Sequence, residues 1–528
     1  MRKEYPEFTV NFLPFDLSLK VKPGTTLWEA IRTIGLPLKT ACGGKGTCGD
    51  CLVKIVQGSY ERRPSAALPD RLANQNYALA CQTEVAGDIT VELPEFQELS
   101  IQGVSDSLFI EANRGNLSGI YELDALVKAV ELHVPGPTLE DNSSDFKRVK
   151  RELRKKFPVK DLAGDSLVLK KMASSVREKE GHIKLVAFES GEDRTVMNLW
   201  SVPRKKRVCG IACDIGTSTV VLHLVDLENG NILGTASSYN HQIKCGEDVI
   251  SRINYSQKPG GLEELHGLVV LTINRLMKKA ASSARVSLSD IYFGSFSGNT
   301  TMIHLFLNLE PRFIREEPYV PTLNDVPILA SREVGLKMNK EARIFCSPLV
   351  GSYVGGDITA GLLATPMLRT SEKVFMFIDV GTNGELVVGN KEWLITCACS
   401  AGPAFEGSGI RCGLPASEGA IEEVRVRADG TVEYKVIGET GPKGVCGSGL
   451  IDLLGELFVH GVIDRHGKFK GKKASPRLVE TEEGPGFRLE SGEKSFWGRD
   501  LVITERDISK LIRSKAAVFS ACSLLRKD

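Results

Sequence analysis

The sequence predicts a multidomain chain of mixed α/β and α+β architecture, and three observations point there. With 528 residues the chain has room for about three or four domains of ordinary size. A glycine-studded loop carrying three cysteines lies near the N-terminus, with a fourth cysteine well downstream. A strand–turn–strand motif built on Asp-x-Gly-Thr occurs twice in the C-terminal part.

The N-terminal elements follow from side-chain periodicity. Phe8, Val10 and Phe12 alternate, as do Leu17, Leu19 and Val21, which predicts two strands. Thr26 and Glu29 have capping-box spacing, and Leu27, Ala30, Ile31 and Ile34 make an apolar stripe, so a short helix follows. Next comes Cys42-Gly-Gly-Lys-Gly-Thr-Cys48-Gly-Asp-Cys51, then Cys81, then a closing strand on Ile89, Val91 and Leu93 that ends at Pro94. Three thiolates from one tight loop and a fourth from a later segment are the ligand logic of a 2Fe-2S cluster; the first spacing is one residue longer than in plant-type ferredoxins. Gly43, Gly44, Gly46 and Gly49 permit positive φ, so backbone N–H groups turn toward sulfur. Structural zinc, the rival, shows two separated Cys or His pairs, and only Cys48 and Cys51 form one here. This order of elements resembles the β-grasp 2Fe-2S ferredoxins, in particular their adrenodoxin-like branch, and residues 1–95 are assigned to such a domain.

Composition narrows the partners. There are 67 basic and 66 acidic residues, a formal net charge of +1, so bulk electrostatics gives no reason to expect nucleic acid. No apolar segment follows Met-Arg-Lys-Glu-Tyr-Pro, and no apolar run approaches the roughly eighteen residues of a membrane span. Thirteen cysteines, an odd number spread along the chain, suit a reducing compartment, so a cytoplasmic protein without a membrane partner is expected.

Residues 96–125 are expected to be a linker and 126–206 a small α+β middle domain. The basic run Lys147 to Lys156 places Val149, Leu153 and Phe157 at helical spacing, which predicts an amphipathic helix with a solvated basic face. Leu167 to Val176 is expected to be helical. Ile183–Phe188 and Thr195–Trp200 are expected as strands around a turn at 189–193. Arg204 to Arg207 is expected to be a charged linker to the next domain.

From 207 to 528 the informative feature is the repeat. Asp214-Ile-Gly216-Thr217-Ser218-Thr219 returns as Asp379-Val-Gly381-Thr382-Asn383-Gly384, each copy between apolar strands. An aspartate at the end of a buried strand holds a hydrated Mg2+ or orients a water, and the residues after it bring N–H and O–H donors against phosphate oxygens. Two copies imply two halves around one nucleotide. Gly447-Ser448-Gly449 opens a helix through Leu450, Ile451, Leu453 and Leu454, a helix entry suited to a nucleotide.

These motifs resemble the acetate and sugar kinase, heat-shock chaperone and actin superfamily, built on duplicated ribonuclease-H-like halves. A closer resemblance rests on Ser237 to Gln242, Gly246 to Arg252, Ser297 to Met302, Val354 to Asp357 and Ala401 to Gly407, joined to a 2Fe-2S domain. This set is similar to the reductive activators of corrinoid proteins. The resemblance implies ATP-dependent, one-electron reduction of Co(II) to Co(I) in a corrinoid methyl carrier, by a homodimer whose upstream electron donor is left unnamed. It implies that Cys42, Cys48, Cys51 and Cys81 ligate the cluster and that Asp214 and Asp379 are catalytic. Gly216, Thr217, Ser218, Thr219, Gly381, Thr382 and Asn383 would surround phosphates and Mg2+, and Gly447, Ser448 and Gly449 would face adenosine. For Asn299, Asp357 and Glu406 a structural role, in a turn, a cap or a loop anchor, stands beside a functional one. Cys397, Cys399, Cys412 and Cys446 are expected to be small apolar side chains rather than a second cluster.

Family members continue past Asp528 with a glycine-rich strand and loop, so the resemblance implies an open sheet face here and an incomplete adenosine pocket, in a shortened product or one with weak ATP turnover. Two other functions stay open: a nucleotide-gated binding or regulatory protein, and an ATP-dependent activator of another low-potential metalloenzyme such as an acyl-CoA dehydratase.

Overall fold

The computed structural model describes residues 7–93 and 122–525, except 14, 16, 35, 37, 39–43, 47, 48, 50, 66, 158, 165, 192, 204, 205, 247, 382, 408, 415, 428, 429 and 472–474. Cys42, Cys48, Gly43, Thr382 and most of the 96–125 linker therefore lie outside the described residues. The chain forms two compact units. One comprises Met1–Ala112, His241–Tyr255 and Leu362–Asp528, the other Asn113–Asn240 and Ser256–Gly361.

In the first unit, the N-terminal part is a five-stranded sheet in the order Leu17–Val21, Phe8–Leu13, Thr83–Glu92, Leu52–Arg62, Tyr77–Leu79. Phe8–Leu13 pairs in parallel with the closing strand, Val10 opposite Ile89, which is the β-grasp arrangement. The helix Leu27–Thr33 starts with a complete capping box: Thr26 accepts from the Glu29 N–H and Glu29 accepts from the Thr26 N–H. Its Leu27, Ala30 and Ile31 are buried, as are Val10, Phe12 and Val91 of the sheet, and the helix packs against the strand Thr83–Glu92.

The C-terminal part of this unit holds three three-stranded sheets and the helices Gly447–Val459 and Glu505–Leu525. One core gathers Ile421, Leu450, Leu453, Phe487, Ile508 and Leu511, all at most 1% exposed. The second Asp-x-Gly-Thr copy is a hairpin, Phe375–Val380 against Gly384–Gly389. Its first strand departs from the buried strand that the sequence suggests, because Met376, Ile378 and Val380 are 45%, 42% and 40% exposed. The reason is its place in the sheet. Phe375–Val380 is an edge strand, and Glu505–Leu525 packs over the other two strands, Gly384–Gly389 and Leu394–Cys399.

In the second unit, a four-stranded sheet runs Val127–His133, His182–Ser190, Asp193–Ser201, Leu162–Gly164, with the helices Asp145–Arg154 and Ser166–Arg177 alongside. Val149 and Leu153 are buried, and Phe157, beyond the helix end, packs on the same core. One residue of the basic run departs from the sequence reading. Arg148 is fully buried, donating to the Pro135 carbonyl and pairing with Asp145, while Lys150 and Arg151 pair with Asp161 and Asp141 at 3.0 and 2.7 Å. Lys147, Arg151, Arg154, Lys155 and Lys156 are exposed, so the rest of the face is solvated as read. A seam of Val186, Phe188, Met197, Trp200, Val208 and Tyr292 joins this sheet to the next, with Asn198 Nδ2 donating to the Tyr292 hydroxyl at 2.8 Å.

That next sheet has six strands, ordered Ile232–Tyr239, Thr219–Asp226, Cys209–Ile215, Ile291–Gly298, Arg343–Cys346, Leu329–Ala330. Cys209–Ile215, Ile291–Gly298 and Arg343–Cys346 are parallel, so their C-terminal ends share one edge. Ligand sites of parallel sheets lie at that edge.

Candidate iron–sulfur and nucleotide sites

Cys51 immediately precedes the strand Leu52–Arg62, and Cys81 lies in the single turn Ala80–Gln82 that ends Tyr77–Leu79. Antiparallel pairing of Leu52 with Leu79, and an Ala80 N–H bond to the Cys51 carbonyl at 2.8 Å, bring the two together. Their sulfurs are 3.2 Å apart and the residues 1% and 5% exposed. That separation is well beyond the roughly 2.05 Å of a disulfide, so these are two thiols converging on one point. Gln82 Nε2 reaches Cys81 Sγ at 3.5 Å and the Gly44 carbonyl at 3.3 Å, tying the cysteine loop to the fourth cysteine. Gly46 has φ +75°, and a β-carbon there would stand 2.7 Å from the Gln82 side chain. Two buried thiols without a disulfide between them, in a cradle with no room for a side chain, fit a thiolate-held iron–sulfur group. Among the described residues no set of three or more His, Cys, Asp or Glu is arranged to hold a metal ion, and two of the four cysteines lie outside them.

The first Asp-x-Gly-Thr turn joins Cys209–Ile215 to Thr219–Asp226, and Asp214 is exposed at the sheet edge while Cys213 and Ile215 are buried. Two asparagines shape this turn. Asn240 is fully buried, donates from Nδ2 to the Gly216 carbonyl at 3.0 Å, and bonds the Ser218 carbonyl through its own N–H at 2.9 Å. Asn299 donates from Nδ2 to Thr217 Oγ1 at 3.0 Å while its Oδ1 caps the helix Thr300–Phe306 by accepting from the Met302 N–H at 3.0 Å. Gly355 makes room for this corner, since a β-carbon there would lie 2.4 Å from Asn299 Cα and 2.8 Å from Asp357 Oδ1. The end of one parallel edge thus gathers Asp214, Thr217, Asn299 and Asp357, two carboxylates with hydroxyl and amide groups. That set suits a magnesium-bound phosphate. Asn299 is both cap and support, so its two readings are compatible.

In the other unit, Gly381 N–H bonds the Asn383 carbonyl at 2.8 Å to close the second turn, and Asp379, next to last in the strand Phe375–Val380, is exposed. Glu406, from the turn Pro403–Glu406, puts Oε1 3.4 Å from where a Gly381 β-carbon would be. A carboxylate therefore accompanies Asp379 there. The helix Gly447–Val459 starts at the glycine motif as expected, and packing accounts for both glycines: β-carbons at Gly447 and Gly449 would lie 2.1 and 2.3 Å from the Phe405 and Ile421 carbonyl oxygens. Ser448 Oγ donates to the Glu422 carbonyl at 2.8 Å. The helix entry is thereby seated against the loop that carries Glu406. Cys412 and Cys446 are buried in apolar surroundings, whereas Cys397 and Cys399 are half-buried.

Two supporting residues escaped the sequence reading. Asn240 lay inside a quoted motif without a role, and Gln82 had only its place beside Cys81 as a signal. The buried Arg252, which donates to Gln242 Oε1 at 3.2 Å and to the Gly246 carbonyl at 2.9 Å, shows why two of the motifs occur together. Burial lowers its guanidinium to about 10.

Comparison with known proteins decides the family. The chain is 32% identical over 527 residues to the corrinoid activation enzyme RamQ of Eubacterium limosum, covering 98% of this chain and 83% of that protein. The chain belongs to the corrinoid activation enzymes. Family descriptions match along its length: a 2Fe-2S iron–sulfur cluster binding domain at 11–86, the RACo linker region at 117–206, the RACo middle region at 209–370, and the C-terminal domain of RACo, the ASKHA domain, at 373–528. A solved structure of a reductive activator for a corrinoid, iron–sulfur protein superposes with a TM-score of 0.71 at 40% identity, over 98% of this chain and 83% of that one. The Methanosarcina barkeri reductase of a Co(II) methylated amine-specific corrinoid protein is 29% identical over 225 residues, 41% of this chain and 40% of that protein.

Proposed function

We propose that this member of the family carries one electron to the cobalt of a corrinoid protein, returning Co(II) to Co(I) at the expense of ATP. The observation that carries this is the convergence of Cys51 and Cys81 in a chain whose whole length follows a corrinoid activation enzyme. When bound, the 2Fe-2S cluster supplies a single electron at low potential, near about −400 mV for plant-type ferredoxins. Cys42, Cys48, Cys51 and Cys81 would hold it, and the Gln82 amide stabilises negative charge on Cys81 Sγ.

Cob(I)amide is a stronger reductant than such a ferredoxin, and each 59 mV or so of deficit costs tenfold in a one-electron transfer. Binding energy has to close that gap. A partner held more tightly in its reduced form shifts the equilibrium by the ratio of the two affinities. Asp214 and Asp379 would hold Mg2+ and orient water, with Thr217, Ser218, Thr219, Thr382, Asn383 and the turn glycines around the phosphates. Asn240 and Asn299 keep the first turn in shape for that work. Gly447, Ser448 and Gly449 would lie against adenosine. The cytoplasmic setting and the homodimer are proposals as well, tested by cell fractionation and light scattering.

The deciding experiment mixes the anaerobically purified chain with a Co(II) corrinoid protein and a low-potential donor, and follows the Co(I) absorbance band. The band should grow only with Mg-ATP. An iron-free preparation, or growth at the same rate without ATP, would refute the proposal.

A further inference from the structure

The face of the 2Fe-2S domain beside its cysteines is covered by a loop from the far end of the same unit. Arg71 donates from Nη2 to the Ser495 carbonyl at 3.3 Å and to the Phe496 carbonyl. Tyr77, 5% exposed, meets the Phe496 and Trp497 rings edge-on at 6.3 and 6.2 Å. Pro69 lies 3.5 Å from where a β-carbon at Gly498 would be. Contacts within the C-terminal part also hold the loop's shape. Ser495 is 1% exposed and its Oγ is bonded to the Arg499 N–H and carbonyl, Trp497 Nε1 donates to the Lys443 carbonyl at 2.9 Å, and Lys443 Nζ stands 4.7 Å above the Phe496 ring.

A charge comes with it. Arg499 Nη1 lies 3.8 Å from the position of a β-carbon on Gly49, the glycine two residues before Cys51. The four contacts fall on Pro69, Arg71, Tyr77 and Gly49, in segments that lead into Cys81 and Cys51.

We propose that the 495–499 loop is a dock for the 2Fe-2S domain, with Arg499 as a positioning residue that makes the docked domain easier to reduce than the undocked one. Reduction adds one negative charge to the domain, and a cation beside the cysteine loop favours the more negative state. By linkage the reduced domain then grips the dock more tightly than the oxidised one. Undocking the reduced domain costs that difference, and the undocked electron is more reducing by the same amount. Each tenfold ratio of the two docking constants corresponds to about 59 mV.

This inference rests on the 2Fe-2S reading, and the experiment separates the two. The full chain is titrated with a titanium(III) reductant, each Ti(III) giving one electron and becoming Ti(IV), while the visible and electron paramagnetic resonance signals are followed. Absent iron and visible colour in the wild type would end the cluster reading itself. With the cluster present, Arg499→Gln should lower the midpoint potential, by about 28 mV if the preference is threefold, and Arg499→Lys should keep the wild-type value. Equal potentials in wild type and Arg499→Gln would overturn the charge role. Arg71→Ala should speed hydrogen exchange in both 69–77 and 494–499, and unchanged exchange in both would overturn the dock.

Discussion

Replacing Asn299 by alanine and by serine separates the two jobs that one side chain performs. Its Oδ1 caps the helix Thr300–Phe306 and its Nδ2 holds the Thr217 hydroxyl, each at 3.0 Å. Loss of an N-cap costs about 1 kcal/mol, and serine is as good a cap as asparagine. Asn299→Ser keeps the cap and should therefore melt above Asn299→Ala, by about 2–4 °C per kcal/mol for a domain of this class. Serine is too short to reach Thr217, so both variants lose that bond, worth about 0.5–1.5 kcal/mol. If Thr217 works on phosphate, a loss of about 1 kcal/mol appears as roughly fivefold weaker nucleotide binding in both. Differential scanning calorimetry reads the first quantity and nucleotide titration the second. Wild-type nucleotide affinity in Asn299→Ser would refute the assignment of the Thr217 turn to the nucleotide, and equal melting of the two variants would refute the cap.

Gly447→Ala places a β-carbon 2.1 Å from the Phe405 carbonyl oxygen, so the helix entry has to shift; a stability loss of about 1–3 kcal/mol is expected by denaturant titration, together with weaker nucleotide binding. Cys81→Ser should abolish iron binding and the visible absorbance, whereas Gln82→Ala should keep both and move the midpoint potential downward, because the amide bond to sulfur favours the reduced state. His304 is fully buried, with Nδ1 bonded to the Thr300 carbonyl and Nε2 accepting from the Thr322 N–H, so it is neutral, and burial lowers its pKa. A depressed folded-state value means that the unfolded chain binds more protons, so stability is present above about pH 6.5 and is lost as pH falls below it. Melting midpoints between pH 5 and 8 should show this slope, flattened in His304→Gln.

Much of the fold was legible because it is local. The alternation at Phe8 to Val21, the Thr26–Glu29 box and the hairpins around both Asp-x-Gly-Thr turns depend on neighbours within a few residues, and all form as read. Less local facts were hidden. Nothing in the basic run at 147–156 says that Arg148 is the buried one, because its partners, the Pro135 carbonyl and Asp145, are set by how the helix packs. Likewise Met376, Ile378 and Val380 read as a buried strand, and only the sheet order shows that this strand is an edge. Gly447 and Gly449 read as a helix entry suited to a ligand, and only the structure adds that carbonyls from Phe405 and Ile421 leave no room for a β-carbon at either.

By itself the sequence determined which patterns the chain carries: four cysteines at cluster spacing, two Asp-x-Gly-Thr turns and a glycine helix entry, each short and readable from residue type and separation. Tertiary structure alone decided what supports them. Asn240, Asn299, Gln82 and the 495–499 loop act across 24, 82, 38 and 425 positions of sequence. Contacts at such distances depend on where the sheets place their ends in space, and no local pattern in the sequence records that.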